Sequence, residues 1–323
     1  MLKADSGKKA IASVLVILQC LIFGLGFIAV RELLDKGFPT FLLLCIRFGM
    51  GTFFLLCIGL LFRYSPKLTS TIGAIGHFSK RDIAGGLISG CILFAAFTSQ
   101  TFGAGITTPA KNGLLTDLFV IFVPIISMVL MKKFSLQPII YAVISFIGVA
   151  FIMDIFSNSG SVNWGDGLSI VCGLLFAVQF IIMEKYAAPN KESSPVNSFN
   201  FTVVQLAVMA GLSLILSLIT ETSAYSSIQW GHSIGWLIFL GIFGSAMAYL
   251  FQFFAQSIIS AEATSVLSCS EAIFTVIFSL IFGYDKFSWR LGVGAAIIII
   301  AMILISIPLK LPRKTEATNE EKK

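Results

Sequence analysis

Charged residues are scarce in this sequence, and histidine is nearly absent. Of its 323 residues only 12% are Asp, Glu, Lys or Arg, whereas 57% are hydrophobic; soluble domains carry roughly 25% charged residues. No long polar stretch is available to form a soluble catalytic domain. The two histidines, His77 and His232, lie in predicted loops, which excludes a histidine-based active site within a membrane. These absences indicate a polytopic membrane protein.

Clusters of cysteine and nucleotide-binding motifs are also lacking. Each cysteine lies singly in an apolar segment, which is typical of small core residues and not of disulfides or metal sites. There is no GxxxxGKS or GxxxxGKT motif, so neither ATP-driven chemistry nor a cofactor is predicted. The net charge of +6 comes from basic residues beside hydrophobic segments, which indicates topology determinants and no nucleic-acid partner. The six cysteines are Cys20, Cys45, Cys57, Cys91, Cys172 and Cys269.

Ten hydrophobic segments follow one another with short connections. Roughly 20 apolar residues span a bilayer as a helix, so we predict an all-α integral membrane protein with ten transmembrane helices. The first segment is too long for a signal peptide and is expected to be retained. Residues 309–323 are rich in charge and are predicted to form a disordered cytoplasmic tail. The segments are 11–30, 40–62, 83–103, 107–131, 137–154, 166–184, 199–220, 234–258, 260–282 and 288–308.

Lysine and arginine are distributed unevenly between the predicted loops. If the N-terminus is cytoplasmic, the cytoplasmic loops and termini contain sixteen basic residues. The external loops and the adjoining span ends contain four. Because Lys and Arg are enriched on the cytoplasmic side, both termini are predicted to be cytoplasmic.

An offset of 153 residues brings the two halves of the sequence into register. The triplet LIF at 21–23 falls on LLF at 174–176, and KFS at 133–135 falls on KFS at 286–288. Each half holds five predicted spans, an odd number, so the second half enters the membrane from the opposite side. We therefore predict two inverted five-helix repeats, 11–154 and 166–308. Inverted repeats are common in secondary transporters, whose substrate site lies near the midplane between the repeats.

Several short motifs resemble one known family. They are Arg47-Phe48 in the second span, NGLLTD at 112–117 with Pro124 in the fourth, SCSE at 268–271 in the ninth, and GYD at 283–285. With the two five-span halves, they are similar to the EamA-type members of the drug/metabolite transporter superfamily, over about residues 11–306. One departure is Ala272, where EamA-type repeats often have a proline directly after the glutamate of the ninth span.

The resemblance implies transport of a small organic solute, such as an amino acid or a related metabolite. It also implies a multi-pass protein of the bacterial cytoplasmic (inner) membrane, built from two inverted five-helix repeats.

Glu271 lies near the middle of the predicted ninth span, 260–282. At roughly 1.5 Å per residue it is about 15 Å from either end. A charge at that depth needs a partner or a wet cavity, which makes an intramembrane acid a functional-site hypothesis. With Thr264, Ser268 and Thr275 it forms a series of four polar residues spaced i, i+4, i+7 and i+11. This spacing predicts one continuous polar stripe along a cavity. The alternative is a stripe that only bonds neighbouring helices.

Three other ionisable residues, Arg47, Lys111 and Asp117, lie well within predicted spans. Shifted by 153, Asp117 falls on Ser270 beside Glu271, so both acids are expected near the midplane. A zwitterionic solute would place its anionic group at Lys111 or Arg47 and its cationic group at an acid. The alternative for the two bases is snorkelling to the outer surface. The alternative for Asp117 is a structural ion pair, for example with Arg47.

The predicted eighth span carries a second polar stripe with the same spacing. Its members are Ser245, Tyr249, Gln252 and Gln256. Other spans contribute single glutamines, which are Gln19, Gln100 and Gln179. These groups are expected to bond a polar solute, although single glutamines that bridge helices are the alternative. Four phenylalanines are expected to line the apolar side of the cavity: Phe23, Phe27, Phe176 and Phe180.

These features favour a secondary transporter that works by alternating access around a midplane cavity, in efflux or exchange. Its expected partners are a small-molecule substrate, the lipid bilayer and protons taken up and released by Glu271. A passive channel-like facilitator and a transporter of apolar cationic drugs are the alternatives. An enzyme is not predicted, because no nucleophile with a base and no metal cluster is visible. The predicted substrate-binding residues are Glu271, Asp117, Lys111, Arg47, Ser268, Tyr249, Gln252, Gln100 and Gln179.

Overall fold

The computed structural model describes residues 6–62, 77–104, 106, 109–131, 136–152, 163–187, 196–231, 233–283 and 287–306, and these residues contain helices but no strand. The predicted tail 309–323 lies outside them. The helices are α1 (Ser6–Asp35), α2 (Thr40–Phe62), α3 (Lys80–Ala104), α4 (Pro109–Thr116), α5 (Phe119–Met131), α6 (Leu136–Ile152), α7 (Trp164–Ala187), α8 (Ser198–Thr220), α9 (Ile234–Gly241), α10 (Ala248–Gln256), α11 (Ala261–Ser268), α12 (Ser270–Ile281) and α13 (Trp289–Ser306). A short 3-10 helix, Thr222–Ser227, follows α8, and a π-helical segment, Ile242–Met247, joins α9 to α10.

Seven helical stretches are long and apolar enough to cross a membrane. They are Ser6–Asp35, Thr40–Leu61, Lys80–Gly103, Trp164–Ala187, Ser198–Thr220, Ile234–Gln256 and Ala261–Ile281. The remaining three of the ten predicted segments correspond to shorter apolar helices, Phe119–Leu130, Leu136–Ile152 and Trp289–Ile305. Large apolar side chains such as Leu61 and Val129 are 75% and 70% exposed, as expected where lipid is the solvent. The chain is a multi-pass, all-α membrane protein.

The predicted fourth span, 107–131, is interrupted in the structure between α4 and α5. At the interruption the N–H of Val120 donates to the carbonyl of Asp117 at 3.0 Å, an i→i+3 bond typical of a tightened helix end. Pro124 in the next turn has no N–H with which to bond the Val120 carbonyl. Asp117 therefore lies at the junction of two half-helices and not inside one helix.

The predicted ninth span, 260–282, is interrupted at Cys269, although Ala272 replaces the expected proline. The N–H of Cys269 donates to the Val266 carbonyl at 3.2 Å, and that of Ala272 donates to the Cys269 carbonyl at 3.3 Å. Both are i→i+3 bonds, so the helix tightens and changes phase without a proline. The predicted continuous stripe is therefore wrong in its geometry, because Ser268 ends α11 while Glu271 lies in the first turn of α12.

Helices from the two halves of the chain pack directly against each other. α2 packs along α8, α3 along α7 and α8, α6 along α13, and α1 along α10, α11 and α12. Glycine allows the closest approaches. A Cβ atom on Gly294 of α13 would lie 2.5 Å from the carbonyl oxygen of Gly148 in α6, and one on Gly24 of α1 would lie 2.8 Å from the Thr275 nitrogen in α12. Small residues thus bring the helix backbones into contact.

The ends of several helices define two faces of the bundle. Val16 of α1 packs in one buried cluster with Ala255 near the end of α10. Glu184, near the end of α7, accepts a hydrogen bond of 2.9 Å from the N–H of Ala261, where α11 begins. α1 therefore begins at the face where α7 and α10 end and α11 begins, which we call face A. The opposite face, where α1 ends and α2 begins, is face B.

Carboxylates also hold the beginnings of α2 and α8. Both oxygens of Glu221 accept hydrogen bonds of 2.8 Å, from the N–H groups of Phe41 and Leu42. Asp82 of α3 accepts a hydrogen bond of 2.9 Å from the N–H of Asn197, the residue that caps α8. These bonds satisfy N–H groups that a helix leaves unpaired at its first turn. They also anchor the beginning of α2, the helix that carries Arg47, and the beginning of α8.

Candidate functional site

Arg47 lies in the interior of the bundle and does not reach a surface. Its side chain is buried on α2 and donates to the hydroxyl of Ser245 at 3.0 Å and to the carbonyl of Gly244 at 2.7 Å. The guanidinium carbon lies 5.1 Å from the ring centre of Phe48 and 5.5 Å from that of Phe97, within cation–π distance. The snorkelling alternative for Arg47 is therefore wrong.

The acceptor of Arg47 belongs to the π-helical segment Ile242–Met247. A π-helical turn widens the backbone and is frequent at functional sites. α2 approaches this segment closely because Gly51 has no side chain: a Cβ atom there would lie 2.9 Å from the Gly241 carbonyl oxygen and 3.1 Å from the Cβ of Ser245. The close approach lets the Arg47 side chain reach the segment.

Glu271 is partly buried at the second position of α12. Its charge interacts with those of Asp117 and Arg47, and none of the described residues hydrogen-bonds its carboxyl group. The first turn of a helix favours a negative charge, because the helix dipole is positive there. The interruption at Cys269 thus places the acid in the first turn of a half-helix.

Asp117 is partly buried at the junction of α4 and α5. The charge of Arg47 interacts with Glu271 and with Tyr249, whereas Asp117 interacts with Glu271. The structure therefore does not support the alternative of an ion pair between Asp117 and Arg47. Glu271 is thus within electrostatic range of both Arg47 and Asp117, and we call these three residues the charged cluster.

Lys111 lies in α4, but its side chain is outside the described part of the structure, so its role in binding stays a prediction. The neighbouring Asn112 was not predicted to have a role of its own. Its amide nitrogen donates to the Gln100 carbonyl at 3.1 Å and to the hydroxyl of Ser169 at 2.9 Å. Asn112 thus fixes α4 to α3 and α7, and Gln100 takes part through its backbone.

Three of the glutamines form one buried chain of hydrogen bonds. The amide nitrogen of Gln19 on α1 donates to the amide oxygen of Gln252 on α10 at 3.4 Å. The amide nitrogen of Gln252 donates to the amide oxygen of Gln179 on α7, also at 3.4 Å. The amide nitrogen of Gln179 contacts the sulfur of Met183 one turn along α7. The alternative in which single glutamines bridge helices therefore describes Gln19 and Gln179 in this conformation, since both bond Gln252.

Other buried polar groups have no protein partner among the described residues. The hydroxyl of Ser268, both amide atoms of Gln256 and the amide oxygen of Gln19 are all in this state. Buried polar groups are nearly always hydrogen-bonded, so such exceptions indicate a water molecule or a ligand. Ser268 and Gln256 lie on α11 and α10, next to the cluster and to the glutamine chain.

Aromatic rings form a continuous series beside the charged cluster. Tyr249 contacts the rings of Phe23 and Phe48, with centroids 5.8 Å and 6.3 Å apart. The series continues through Phe97, Phe176, Phe119 and Phe180. Phe27, which was also expected there, is 46% exposed and does not belong to the series. The rings supply an apolar wall next to Arg47.

Two further carboxylates, Glu184 and Glu262, lie near face A at the ends of predicted spans. The structure gives both a partner: Glu184 caps α11, and Glu262 accepts a hydrogen bond from the hydroxyl of Ser127 on α5. Glu262 lies in the first turn of α11, whereas Glu184 lies in the last turn of α7. Within the described residues no group of three or more His, Cys, Asp or Glu could hold a metal ion.

The two interruptions have similar surroundings. The thiol of Cys20 on α1 lies 3.7 Å from the Ser268 carbonyl, directly before the interruption at Cys269. On α7, a Cβ atom on Gly173 would lie 2.7 Å from the Thr116 carbonyl, directly before the interruption at Asp117. Each pair of half-helices is thus contacted at its junction by a long helix from the other half of the chain.

A profile of the EamA-like transporter family matches residues 10–154 and again residues 163–307. A protein of Archaeoglobus fulgidus described as an uncharacterized transporter is 23% identical over 305 residues, which cover 94% of this chain and 88% of that protein. A solved crystal structure of a protein superimposes with a TM-score of 0.71 over 93% of this chain and 96% of its own, at 17% identity, a similarity of fold alone. Because the two matched stretches cover most of the sequence, this chain belongs to the EamA-like transporter family.

Proposed function

We propose that this protein is a secondary transporter of a small zwitterionic solute, and that the solute binds at the cluster of Arg47, Asp117 and Glu271. The observation that carries the proposal is that Arg47 is buried inside the bundle and bonded to Ser245 and Gly244, while Asp117 and Glu271 lie at the two helix interruptions. Charge within a membrane is costly and is retained mainly where it serves function. Membership of a transporter family supports a solute as the ligand.

The cluster offers a donor for an anionic group and acceptors for a cationic one. A guanidinium has five N–H donors, and Arg47 uses Nε and Nη2 in its bonds to Ser245 and Gly244. Its remaining donors are suited to a carboxylate. The carboxyl groups of Glu271 and Asp117 are suited to an ammonium group, and the aromatic series to an apolar side chain. Lys111 is the second candidate for the anionic group.

We further propose that the protein has ten spans in two inverted repeats. The positions of Cys20 and Gly173 support this, because they differ by the offset of 153. Cys20 lies beside the Ser268 carbonyl and Gly173 beside the Leu115 carbonyl, and these two carbonyls also differ by 153. The packing of helices across the two halves also supports it. In this arrangement the cluster lies at the interface of the repeats, where alternating access would expose it to each face in turn.

Orientation follows from the basic residues. Sixteen lie in segments that would be cytoplasmic and four in those that would be external, so we place both termini in the cytoplasm of a bacterial cell, with face A inward. Efflux or exchange is the proposed mode, driven by a gradient with protons as the candidate coupling ion.

A transporter of apolar cationic drugs is the second candidate function. The observation that favours it is the aromatic series beside two carboxyl groups. The buried Arg47 argues against it, since its positive charge would repel a cationic solute at the same cluster. A passive channel is disfavoured because Gln252 bonds both Gln19 and Gln179. These bonds cross the interior, where a channel would need an open pore.

A ligand screen by thermal shift tests the proposal. Amino acids, the matching amines without a carboxylate and the matching acids without an amine are each added to the purified protein. We expect the amino acids to raise Tm and the other two series to do so far less, because binding stabilises the folded state by mass action. Stabilisation by hydrophobic amines alone would support the cationic-drug candidate. No stabilisation by any of the three series would contradict both candidates.

A further inference from the structure

Two amides of the glutamine chain, those of Gln252 and Gln179, lie closer to face A than Glu271 does. Gln252 is four residues from the end of α10 and Gln179 is eight from the end of α7, so at roughly 1.5 Å per residue they lie about 6 Å and 12 Å from face A. Glu271 follows the start of α11 by ten residues, which places it about 15 Å from the same face. A solute that leaves the cluster toward face A therefore meets the glutamine chain.

α10 and the π-helical segment before it present one polar face that runs through this region. Ser245 accepts from Arg47, Tyr249 packs on the aromatic series, and Gln252 bonds the other glutamines. Gln256 comes one turn later and is 2% exposed, with neither amide atom bonded within the described part of the chain. A fully unpartnered buried amide indicates a non-protein partner on the face A side of the chain.

The bonds of the glutamine chain are long. Both amide–amide distances are 3.4 Å, at the upper limit for a hydrogen bond. A neutral amide that loses such a partner can bond water or a polar solute in its place. Opening the chain at this position therefore leaves no buried charge without a partner. Breaking an ion pair at the same position would leave two. The chain is thus suited to a contact that breaks and re-forms.

We propose that Gln19, Gln252 and Gln179 form the closed barrier of the solute path on the face A side, and that Gln256 is the first polar contact beyond it. This rests on the proposed transport function. Gln19 and Gln256 are thereby path residues, and Gln252 and Gln179 bind the solute only as the barrier opens. In this proposal the cluster is closed toward face A whenever the three amides are bonded to one another.

Labelling of a thiol reporter tests the barrier. Ser245→Cys places a thiol of nearly the same size beside Arg47, about 16 Å from face A at roughly 1.5 Å per residue. A membrane-impermeant thiol reagent is applied separately at each face of sealed vesicles, and labelling is compared with that of the chain without the reporter. Adding Gln19→Ala should raise labelling from face A about fivefold and lower it from face B. A factor of about five is the change in the population open toward face A that we expect from the loss of one net hydrogen bond.

The matched control is Gln205→Ala with the same reporter. Gln205 is also a buried glutamine, and it accepts from Ser89 at 3.0 Å between α3 and α8, away from the proposed path. Its replacement should leave labelling from both faces unchanged. Equal labelling of the Gln19→Ala and Gln205→Ala chains would overturn the proposal.

Cross-linking provides a second test if Gln19→Ala does not fold. The first variant combines Gln19→Cys with Gln252→Cys, and a short reducible reagent joins the two thiols. Joining them should abolish flux, and reduction should restore it. The control combines Ser89→Cys with Gln205→Cys and should retain flux when its thiols are joined. Flux that persists through the joined barrier pair would overturn the barrier. Failure of the transport proposal is distinguishable, because the unmodified protein would then show no flux while the labelling still reports the barrier.

Discussion

The Nη2 group of Arg47 donates a 2.7 Å hydrogen bond to the carbonyl oxygen of Gly244, in the π-helical segment that joins α9 to α10. A buried arginine on α2 therefore holds the one segment of this span whose backbone departs from α-helical geometry. A substrate carboxylate would interact with the same guanidinium. Substrate binding and the shape of the span are thus linked through one side chain.

Replacement of Arg47 by lysine should impair both stability and transport. Lysine keeps the charge but lacks the planar set of donors that reaches Ser245 and Gly244 together. Loss of a charged hydrogen bond costs about 1.5–3 kcal/mol, so we expect a lower Tm and at least a tenfold loss of flux. The control is Arg31→Lys, whose pair with Asp35 is exposed and should have no measurable effect. Normal flux and Tm in Arg47→Lys would show that its side-chain geometry is unimportant.

Glu184 should contribute to stability and not to solute binding. Its carboxylate caps α11 through the N–H of Ala261, and removal of a helix cap costs about 0.5–2 kcal/mol. Glu184→Ala is expected to lower Tm while the apparent KM of transport stays the same. The adjacent exposed residue provides the control, as Lys185→Ala should change neither. An increased KM with unchanged Tm would instead place Glu184 on the solute path.

The orientation can be measured with fused reporters. Reporters placed after Arg81, Lys133 or Pro312 should report the cytoplasm, and those at Asn158 or Ser223 the exterior, because of the bias in basic residues. A cytoplasmic position at Asn158 together with an external C-terminus would contradict the orientation. The inverted repeats also require an even total of spans, so opposite locations of the two termini would contradict them.

Lys111 and Arg47 are the two candidates to bind the anionic group of the proposed solute, and substitution of Lys111 distinguishes between them. If Lys111 binds a carboxylate, Lys111→Gln should weaken the binding of amino acids far more than that of the matching amines. If Arg47 is the ligand, the Lys111→Gln chain should bind both series as the unmodified protein does. Thermal shift with paired ligands measures this difference. An equal loss of binding for amino acids and amines would show that Lys111 has a structural role and does not bind the carboxylate.

The positions of the charges were accessible from the sequence, and their contacts were not. Arg47, Asp117 and Glu271 stand out because charge is expensive within apolar spans, and Glu271 is within electrostatic range of the other two. The partner of Arg47 depends on a π-helical segment and on the close approach at Gly51, which no local pattern encodes. The same holds for the interruption at Cys269, which forms without the expected proline.

The amides show a different limit of sequence reasoning. Spacing places Gln252 on a polar face of the span, and the structure confirms that this face is buried. Whether such an amide bonds a solute or another helix depends on what lies opposite, and here Gln19 and Gln179 lie opposite. Phe27 was misplaced for a similar reason, since an all-apolar helix gives no signal for which side faces lipid.

The central claim is that the buried charged cluster binds the solute of a carrier, and counterflow in proteoliposomes tests it most directly. The unmodified protein and Glu271→Gln are compared for counterflow and for gradient-driven uptake of the solute identified by thermal shift. We predict saturable counterflow for the unmodified protein, and a folded Glu271→Gln chain that has lost gradient-driven uptake because its amide cannot ionise. Undiminished uptake by Glu271→Gln across the pH range, or flux that never saturates in the unmodified protein, would contradict the account.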